Sequence, residues 1–535
     1  MPRSTGPRSF WAWGYEDRFP SGEARRRLRD RVTMILGGGV EERPLPTFEE
    51  IRLRTPGGKV PTALAAFARD DARERALHTY GRGFPDLVRG FSGDFLAAPD
   101  FVLFPRDEDD VTLAMKVCED EGIALVPFGG GTSVVGGVEH APDARRRATL
   151  DLGLLSGVHE IDRASLAARI GAGMRGPAID AALGEHGLTL RHFPQSYEHS
   201  TLGGWIATRA GGHFATLYTH IDDLVESVRM ITPRGPLETR RLPASGAGPS
   251  PERFVLGSEG TMGIITEAWM RVRPVPSHRA SASVCFPSWD DAVASVRELA
   301  QSGLYPTNAR LLDAREALIH EVATDGSCVL LLGFESHDHA LEPWMSRALA
   351  ITAERGGVVS SGPTYVAAGA RTHEVDRASA EAAWRQAFFD APYLQSALVA
   401  MGLVVDTFET ACTWSAFPTH HAAVVRAVKT ASKEACGGGL VSCRFTHVYP
   451  DGPAPYYTFM GAGRPGEQIR QWSLVKQAAC GALIEHGATI THHHAVGRVH
   501  REGWHRERPP LFGKVLEAAK RELDPAGILN PGVLL

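Results

Sequence analysis

Few cysteines are present to staple this chain. Its 535 residues include seven, at 118, 285, 328, 412, 436, 443 and 480, and no two stand in C-x-x-C spacing. An odd, dispersed set excludes a disulfide framework and points to reduced thiols in a cytoplasmic compartment. No stretch of about 18 uninterrupted apolar residues occurs, so no membrane span is expected; contact with a membrane surface stays open. The opening Met1-Pro2-Arg3-Ser4-Thr5-Gly6-Pro7-Arg8 is basic, but no apolar segment follows, which argues against a signal peptide. A basic excess is missing as well: 57 Lys and Arg face 62 Asp and Glu, for a formal net charge of −5. Nucleic acid is therefore not an expected partner. Internal repeats and low-complexity tracts are also absent.

What is present is the composition of an ordinary globular protein, 43% hydrophobic and 22% charged, at a length that predicts two to four domains. Its most informative stretch is Pro127-Phe128-Gly129-Gly130-Gly131-Thr132-Ser133, which follows the strand-like run Ile123-Ala124-Leu125-Val126. Glycine lets a backbone turn its N–H groups toward a ligand with no Cβ in the way. Several converging N–H groups make an anion-binding nest suited to a diphosphate, and two hydroxyls add donors. The loop fits neither G-x-G-x-x-G nor G-x-x-x-x-G-K-[ST], so the Rossmann and P-loop readings fail for it.

Around this loop the pattern predicts an arm over residues 1–20, with Trp11, Trp13 and Tyr15 packed on another part of the protein, and helices over 23–36 and 62–76. A strand over 100–104 follows, then the acidic run 107–110 capping a helix over 111–121, where carboxylates suit the positive helix end. Strands are expected at 149–152, 167–170 and 225–232, a helix at 177–187, and a surface loop over 237–253. From about 279 the character changes. Strand-like runs 280–286, 329–334 and 456–460 are separated by helices near 290–302, 340–355 and 420–435, the pattern of an antiparallel sheet covered by helices. The expected division is an N-terminal arm and helical region (1–95), a ligand-binding domain (96–278), a cap or substrate domain (279–480) and a C-terminal return to the first domain (481–535).

Two further small-residue segments follow the glycine loop: Pro194-Gln195-Ser196-Tyr197-Glu198-His199-Ser200-Thr201-Leu202-Gly203-Gly204-Trp205-Ile206-Ala207-Thr208-Arg209-Ala210-Gly211-Gly212, and Gly257-Ser258-Glu259-Gly260-Thr261-Met262-Gly263-Ile264-Ile265-Thr266. With Trp11-Ala12-Trp13-Gly14-Tyr15, Ala309-Arg310-Leu311-Leu312-Asp313, Thr407-Phe408-Glu409-Thr410 and Thr491-His492-His493-His494-Ala495-Val496-Gly497, the set resembles the vanillyl-alcohol-oxidase family of FAD flavoproteins, in its alkyldihydroxyacetonephosphate-synthase-like branch. The similarity covers most of the chain. It implies an α+β fold: a two-subdomain PCMH-type FAD-binding domain, plus a cap domain with an antiparallel sheet covered by helices over the flavin ring. By the same carry-over, FAD is lined by Pro127, Phe128, Gly129, Gly130, Gly131, Thr132 and Ser133. It is lined also by Gln195, Ser196, Tyr197, Glu198, His199, Ser200, Thr201, Thr208, Arg209, Ala210 and Gly211, and by Gly257, Ser258, Glu259, Gly260, Thr261, Met262 and Gly263. The loop has no His or Cys to tether a flavin, so the FAD is expected to be non-covalent.

The resemblance implies that Tyr456 is the catalytic tyrosine, with His492, His493, His494 and Arg310 as its functional neighbours. A phenol with a pKa of about 10 is a poor base at neutral pH and needs cationic or hydrogen-bonding neighbours. Three adjacent histidines invite a metal reading. In an extended segment His492 and His494 share one face and His493 points away, leaving two ligands where a catalytic zinc site has three, so no metal is expected. One departure concerns the substrate: register places Gln395 where the synthase-like branch has a phosphate-binding arginine, and glutamine cannot form arginine's charge-assisted fork. Arg385 and Arg498 are the candidate replacements. Pro455, before Tyr456, is a second local oddity.

The implied function is an exchange of an acyl for an alkyl group on a dihydroxyacetone phosphate through a flavin N5 adduct, without net redox change. The alternative, favoured by Gln395, is oxidation of a 2-hydroxy acid, an alcohol or a secondary metabolite on the same fold. A flavin-binding scaffold without catalysis is a third reading, disfavoured by the presence of Tyr456, Arg310 and the histidines. Small-molecule or lipid substrates are the expected partners, and a homodimer is a family expectation.

Overall fold

The computed structural model describes residues 6–38, 40–143, 145–366 and 380–535, with side chains described from residue 390 onward in the last of these. Three main sheets organise the chain. The first has four strands in the order Ala68–Arg69, Phe101–Leu103, Arg147–Asp151, Ala124–Phe128. Its three longer members pair in parallel. Phe101, Leu103, Leu125, Ala148 and Leu150 are all fully buried in it, the near-continuous apolar reading of a sheet covered on both faces. The helix Glu108–Glu121 covers one side. Asp107 caps it by accepting the N–H of Asp110, and Gly122 closes it in the left-handed region, as the acidic run predicts.

The second sheet is antiparallel, in the order Gly235–Glu238, Val225–Thr232, Ile264–Arg271, Ala167–Gly171, Val158–Asp162. The third has seven strands, all paired antiparallel: Val358–Val366, His278–Phe286, Cys328–Ser336, Asn308–Leu312, Leu440–Val448, Pro453–Ala462 and Leu403–Glu409. Strand alternation sends Ala309, Leu311, Cys443, Phe445, Phe408, Tyr457 and Phe459 to one face, where they join the largest apolar core beneath the helices. The opposite face of the same strands carries Arg310, Arg444, Tyr456 and Glu409. The expected α+β architecture, with a helix-covered antiparallel sheet beside the cofactor domain, is the one observed.

One expected helix does not form. Residues 62–76 split into a short 3-10 turn, Thr62–Phe67, an edge strand, Ala68–Arg69, and a helix, Ala72–Leu77. Strand pairing of Ala68 and Arg69 with Leu103 and Val102 overrides the alanine-rich helix propensity, and Asp71 then caps a new start by accepting the N–H of Glu74. The loop expected over 237–253 is interrupted by a short helix, Pro251–Val255. At the other end of the chain the backbone returns to the first sheet: Leu125 donates to the Ile528 carbonyl at 2.8 Å, and Asn530 donates to the Leu125 carbonyl at 2.9 Å.

Candidate active site

The glycine loop leaves the buried strand Ala124–Phe128 and folds back tightly. Gly131 has φ of +67°, and a Cβ there would lie 2.3 Å from the Phe128 ring beneath it; a Cβ on Gly130 would lie 2.0 Å from the His199 carbonyl oxygen. No larger residue fits either position. The N–H groups of Gly129, Gly130, Gly131 and Thr132 donate to no acceptor among the described residues. A row of undischarged amides on a tight bend is an anion site in waiting.

Gly129 to Ser133 form one wall of a cavity of about 350 Å³. Gln195, Ser196, Ser200, Thr201, Thr208, Ala210 and Gly211 line it as well. Other members of that second segment turn elsewhere. Tyr197 donates to Asp180 at 2.5 Å, and Arg209 pairs with Asp222 at 2.7 Å. Glu198 lies off the cavity wall, and His199 sits against Tyr393, Trp13 and Tyr15. The third segment, Gly257 to Gly263, supports the loop from behind rather than lining the cavity. Gly260 packs on Pro127, where a Cβ would come within 2.2 Å of the ring. Glu259 accepts the N–H groups of Val496 and Gly497 at 2.9 and 2.8 Å, and burial pushes its carboxyl up to about 7. Ser258, Thr261, Met262 and Phe128 are buried.

Facing the loop across the cavity is the polar side of the seven-stranded sheet. Tyr456 stands in register with Arg444 on one neighbouring strand and Glu409 on the other. Its hydroxyl donates to the Thr407 hydroxyl at 2.9 Å, and the Arg444 guanidinium carbon lies 3.9 Å from its ring centre. Burial raises the phenol pKa, opposed by Arg444 and the Thr407 bond, so Tyr456 rests protonated at neutral pH. Arg310 is 1% exposed; burial, then repulsion from Arg444, lowers its guanidinium to about 9. Arg444 also pairs with Glu316. Burial works against the charge on Glu316, but Arg444, His320 and Ser442 together hold it below the usual carboxylate range. A bulge between Phe445 and His447 lets Arg444, Thr446 and His447 all reach the cavity wall.

The triple-histidine segment is a turn, not an extended strand. Glu409, 1% exposed, accepts N–H groups from His492, His493 and His494 at 2.6, 3.1 and 2.9 Å, and the Thr491 hydroxyl at 2.5 Å. This corrects the alternation expected of the segment: His493 and His494 line the cavity beside Tyr456, while His492 turns away toward His220 and Tyr449. Burial lowers His493 to about 3 and His494 to about 4, against the pull of Glu409, and lowers His492 and His447 well below their ordinary value. All four are neutral at pH 7. The positive charge beside Tyr456 therefore comes from Arg444 and Arg310, not from the histidines. Ring nitrogens of His447, His492 and His493 lie within 4.8 Å of one another, a grouping that sequence spacing could not anticipate because His447 comes from a different strand. His492 and His493 bond each other at 3.0 Å, and His447 bonds the Gly212 carbonyl at 3.1 Å, so these rings already have partners.

Part of the cavity's boundary is apolar, formed by Leu28, Val32 and Ile35 of the helix Gly22–Leu36, which also brings Arg31 to it, and by Leu394 and Leu398 of the helix Ala380–Ala400. Gln395 stands at this boundary and accepts the indole N–H of Trp13 at 3.3 Å. Arg498 does not compensate for the missing arginine: its guanidinium donates to the carbonyls of Glu139, Pro531 and Gly532, outside this cavity. Arg385 lies outside the residues whose side chains are described. Arg444, Glu409, Thr407 and Trp13 are functional-site residues that the sequence reading did not assign. Glu409, Thr407 and Trp13 had a signal, their places in quoted motifs; Arg444 had none.

Comparison with known proteins agrees with this geometry. Residues 99–240 match the FAD binding domain family, and residues 275–534 match the C-terminal domain of FAD linked oxidases. An alkyldihydroxyacetonephosphate synthase of Dictyostelium discoideum is 29% identical over 87% of this chain and 78% of its own length. An uncharacterized FAD-linked oxidoreductase of Escherichia coli is 25% identical over 85% of this chain and 92% of its own. Among solved structures, an alkyldihydroxyacetonephosphate synthase superposes with a TM-score of 0.79 at 24% identity, covering 98% of both chains, and shares the fold. FAD is the cofactor these domains bind. The residues present fit it, because the free amides of the glycine bend answer a diphosphate and the cavity continues from them to the tyrosine.

Proposed function

This chain is an FAD enzyme of the vanillyl-alcohol-oxidase type, and on that premise we propose that it forms an ether bond by exchanging an acyl for an alkyl group, a reading in keeping with its similarity to alkyldihydroxyacetonephosphate synthases. The observation that carries this reading is the shape of the cavity: polar at Tyr456, Arg310 and Arg444, and apolar along the part of its boundary formed by two helices. That apolar part suits a long hydrocarbon chain, whose burial contributes about 0.8 kcal/mol per methylene. In the exchange, the bond from the glycerone carbon to the acyl oxygen breaks and both its electrons leave with the fatty acid carboxylate. The alcohol oxygen forms the new bond and loses its proton, so nothing is oxidised or reduced overall. FAD, held at the glycine bend, would supply an electron-accepting ring. Tyr456, protonated at rest, hands on and recovers a proton, Arg310 and Arg444 hold developing negative charge on oxygen, and neutral His493 and His494 orient the substrate by hydrogen bonds.

A second reading is favoured by Gln395, neutral and engaged by Trp13 where a phosphate would call for a cation. It is the oxidation of an alcohol, a 2-hydroxy acid or a secondary metabolite. The two separate in one experiment. The FAD-loaded protein is mixed anaerobically with an acyl dihydroxyacetone phosphate and a long-chain alcohol, then separately with candidate alcohols and 2-hydroxy acids, while flavin absorbance is followed. Ether product and free fatty acid without lasting bleaching supports the exchange. Lasting bleaching without ether overturns it in favour of oxidation. In the productive assay Tyr456→Phe should lower turnover by roughly 10²- to 10⁴-fold with FAD still bound.

A further inference from the structure

The proposed chemistry makes no use of three arginines gathered behind the glycine loop. Arg8, Arg82 and Arg175 come from separate parts of the chain, yet they line one small cavity with Trp13, Gly14, Tyr15 and His199, and with Gly130, Gly131 and Thr132 of the loop. Arg8 donates to the Gly130 carbonyl at 3.2 Å, touching the loop directly. Arg82, 6% exposed, donates to the Gly81 carbonyl at 2.7 Å and the Ser9 carbonyl at 3.3 Å. Arg175 reaches the Tyr15 hydroxyl at 3.4 Å. Each guanidinium has five N–H donors, and these bonds use a minority of them.

No carboxylate forms an ion pair with any of the three among the described residues, and Asp151 and Glu74 act on Arg8, and Asp86 on Arg82, only at longer range. Burial, then mutual repulsion, lowers Arg82 to about 10, and Arg8 is lowered for the same reasons. Gathering like charges at a partly desolvated spot costs free energy unless an anion joins them. The neighbouring loop presents free amides that call for the same thing. Arg8 is carried by an arm that folds on itself: Ser9 donates to the Gly14 carbonyl, Glu16 donates to the Pro7 carbonyl, both at 3.0 Å, and Arg8 bridges Tyr15. The arm is docked by Trp13, whose N–H groups reach Ser396 and Gln395.

We propose that Arg8, Arg82 and Arg175 bind the diphosphate of FAD together with the glycine loop, so that the N-terminal arm is a working part of the cofactor site. This rests on FAD being the cofactor and adds a clamp of which Arg8 and Arg82 come from outside the FAD-binding domain: cofactor uptake and arm docking become one event. Arginine suits the role because its planar fork pairs with phosphate oxygens at two points. The shared chemistry, a phosphate group, could also come from a phosphorylated substrate, and the choice of probes separates the two.

The experiment measures equilibrium binding of FAD, ADP, riboflavin and glycerol 3-phosphate to flavin-stripped full-length protein, by calorimetry and flavin fluorescence. Arg8→Met, Arg175→Met and Arg8→Lys are compared with wild type, with circular dichroism confirming the fold. Losing one charged hydrogen-bond set should weaken FAD and ADP together by roughly ten- to a hundred-fold and leave riboflavin unchanged. Arg8→Lys should recover part of the loss. Trypsin cleavage within the arm should slow on adding FAD in wild type and not in Arg8→Met. Wild-type FAD affinity in both methionine variants overturns the clamp while leaving the cofactor in place. Weakened glycerol 3-phosphate with unchanged ADP also overturns it, assigning the arginines to substrate. A wild-type protein that takes up no FAD removes the cofactor reading itself.

Discussion

Glu409 shows how one side chain can organise a site without touching substrate. Four donors converge on it, three of them consecutive main-chain amides, and that convergence gives the histidine segment its turn. Burial opposes its ionisation, yet His493, His494 and His492, which take up charge only as pH falls, and the Thr491 hydroxyl hold its carboxyl well below the ordinary range. Because the folded pKa is depressed, its stabilisation is present above the unfolded value of about 4.3 and is lost as pH falls through the folded one. Glu409→Gln keeps the shape but places an amide N–H₂ among donors. We expect it to destabilise the protein by about 3 kcal/mol in urea melts and to cut turnover, with FAD affinity retained because the glycine loop lies across the cavity. A melt within about 0.5 kcal/mol of wild type would show the convergence to be unimportant.

At the scale of elements, the site exists because a tight loop and a sheet face each other. The loop's geometry leaves no tolerance: a methyl on Gly130 would meet the His199 carbonyl, which belongs to the backbone of the second segment and cannot rotate aside. Gly130→Ala should therefore push the two segments apart and weaken FAD binding by roughly ten- to a hundred-fold, read as loss of yellow colour on gel filtration, while the far-UV spectrum stays unchanged. Retention of stoichiometric FAD would mean the loop flexes more than its packing implies. The sheet contributes differently. Its register aligns Arg444, Tyr456 and Glu409 across three strands, and its bulge at Phe445 to His447 adds Thr446 and His447 to the same wall. Helix-favouring composition lost to edge pairing at Ala68 and Arg69, a case of sheet context overriding local preference.

Across the whole molecule, buried histidines set the response to acid. His140, His192, His199 and His493 are held near 3, and His420, His421, His494 and His500 near 4, chiefly by burial. Each binds a proton more readily when unfolded, at about 6.5, so stability falls as pH drops from about 6.5 toward 4. Asp86 and Glu259, raised to about 7 by burial, and Asp313, raised to about 6, act in the opposite direction, since the folded state keeps their protons longer. The histidines outnumber them. Thermal melts should fall steadily below pH 6.5, and FAD release should accompany unfolding because the cofactor loop and the C-terminal return share Glu259. A melting temperature flat between pH 7 and 5 would contradict this balance. Among the described residues no helix is long and apolar enough to cross a membrane.

Local pattern determined the anion-binding glycine bend and most element positions, because glycine requirements, caps and strand alternation are short-range properties written in neighbouring residues, while the family resemblance carried by the motifs implied the FAD cofactor and the α+β architecture. Tyr456 and the histidine run were named through that same resemblance. Which histidines face the cavity, the cation beside the tyrosine, and the gathering of Arg8, Arg82 and Arg175 were decided only in three dimensions. Those features depend on register between strands far apart in sequence, on one bulge, and on where a turn of amides finds its carboxylate. Local spacing carries no record of such partners, since each is chosen by burial and charge after the chain has closed on itself.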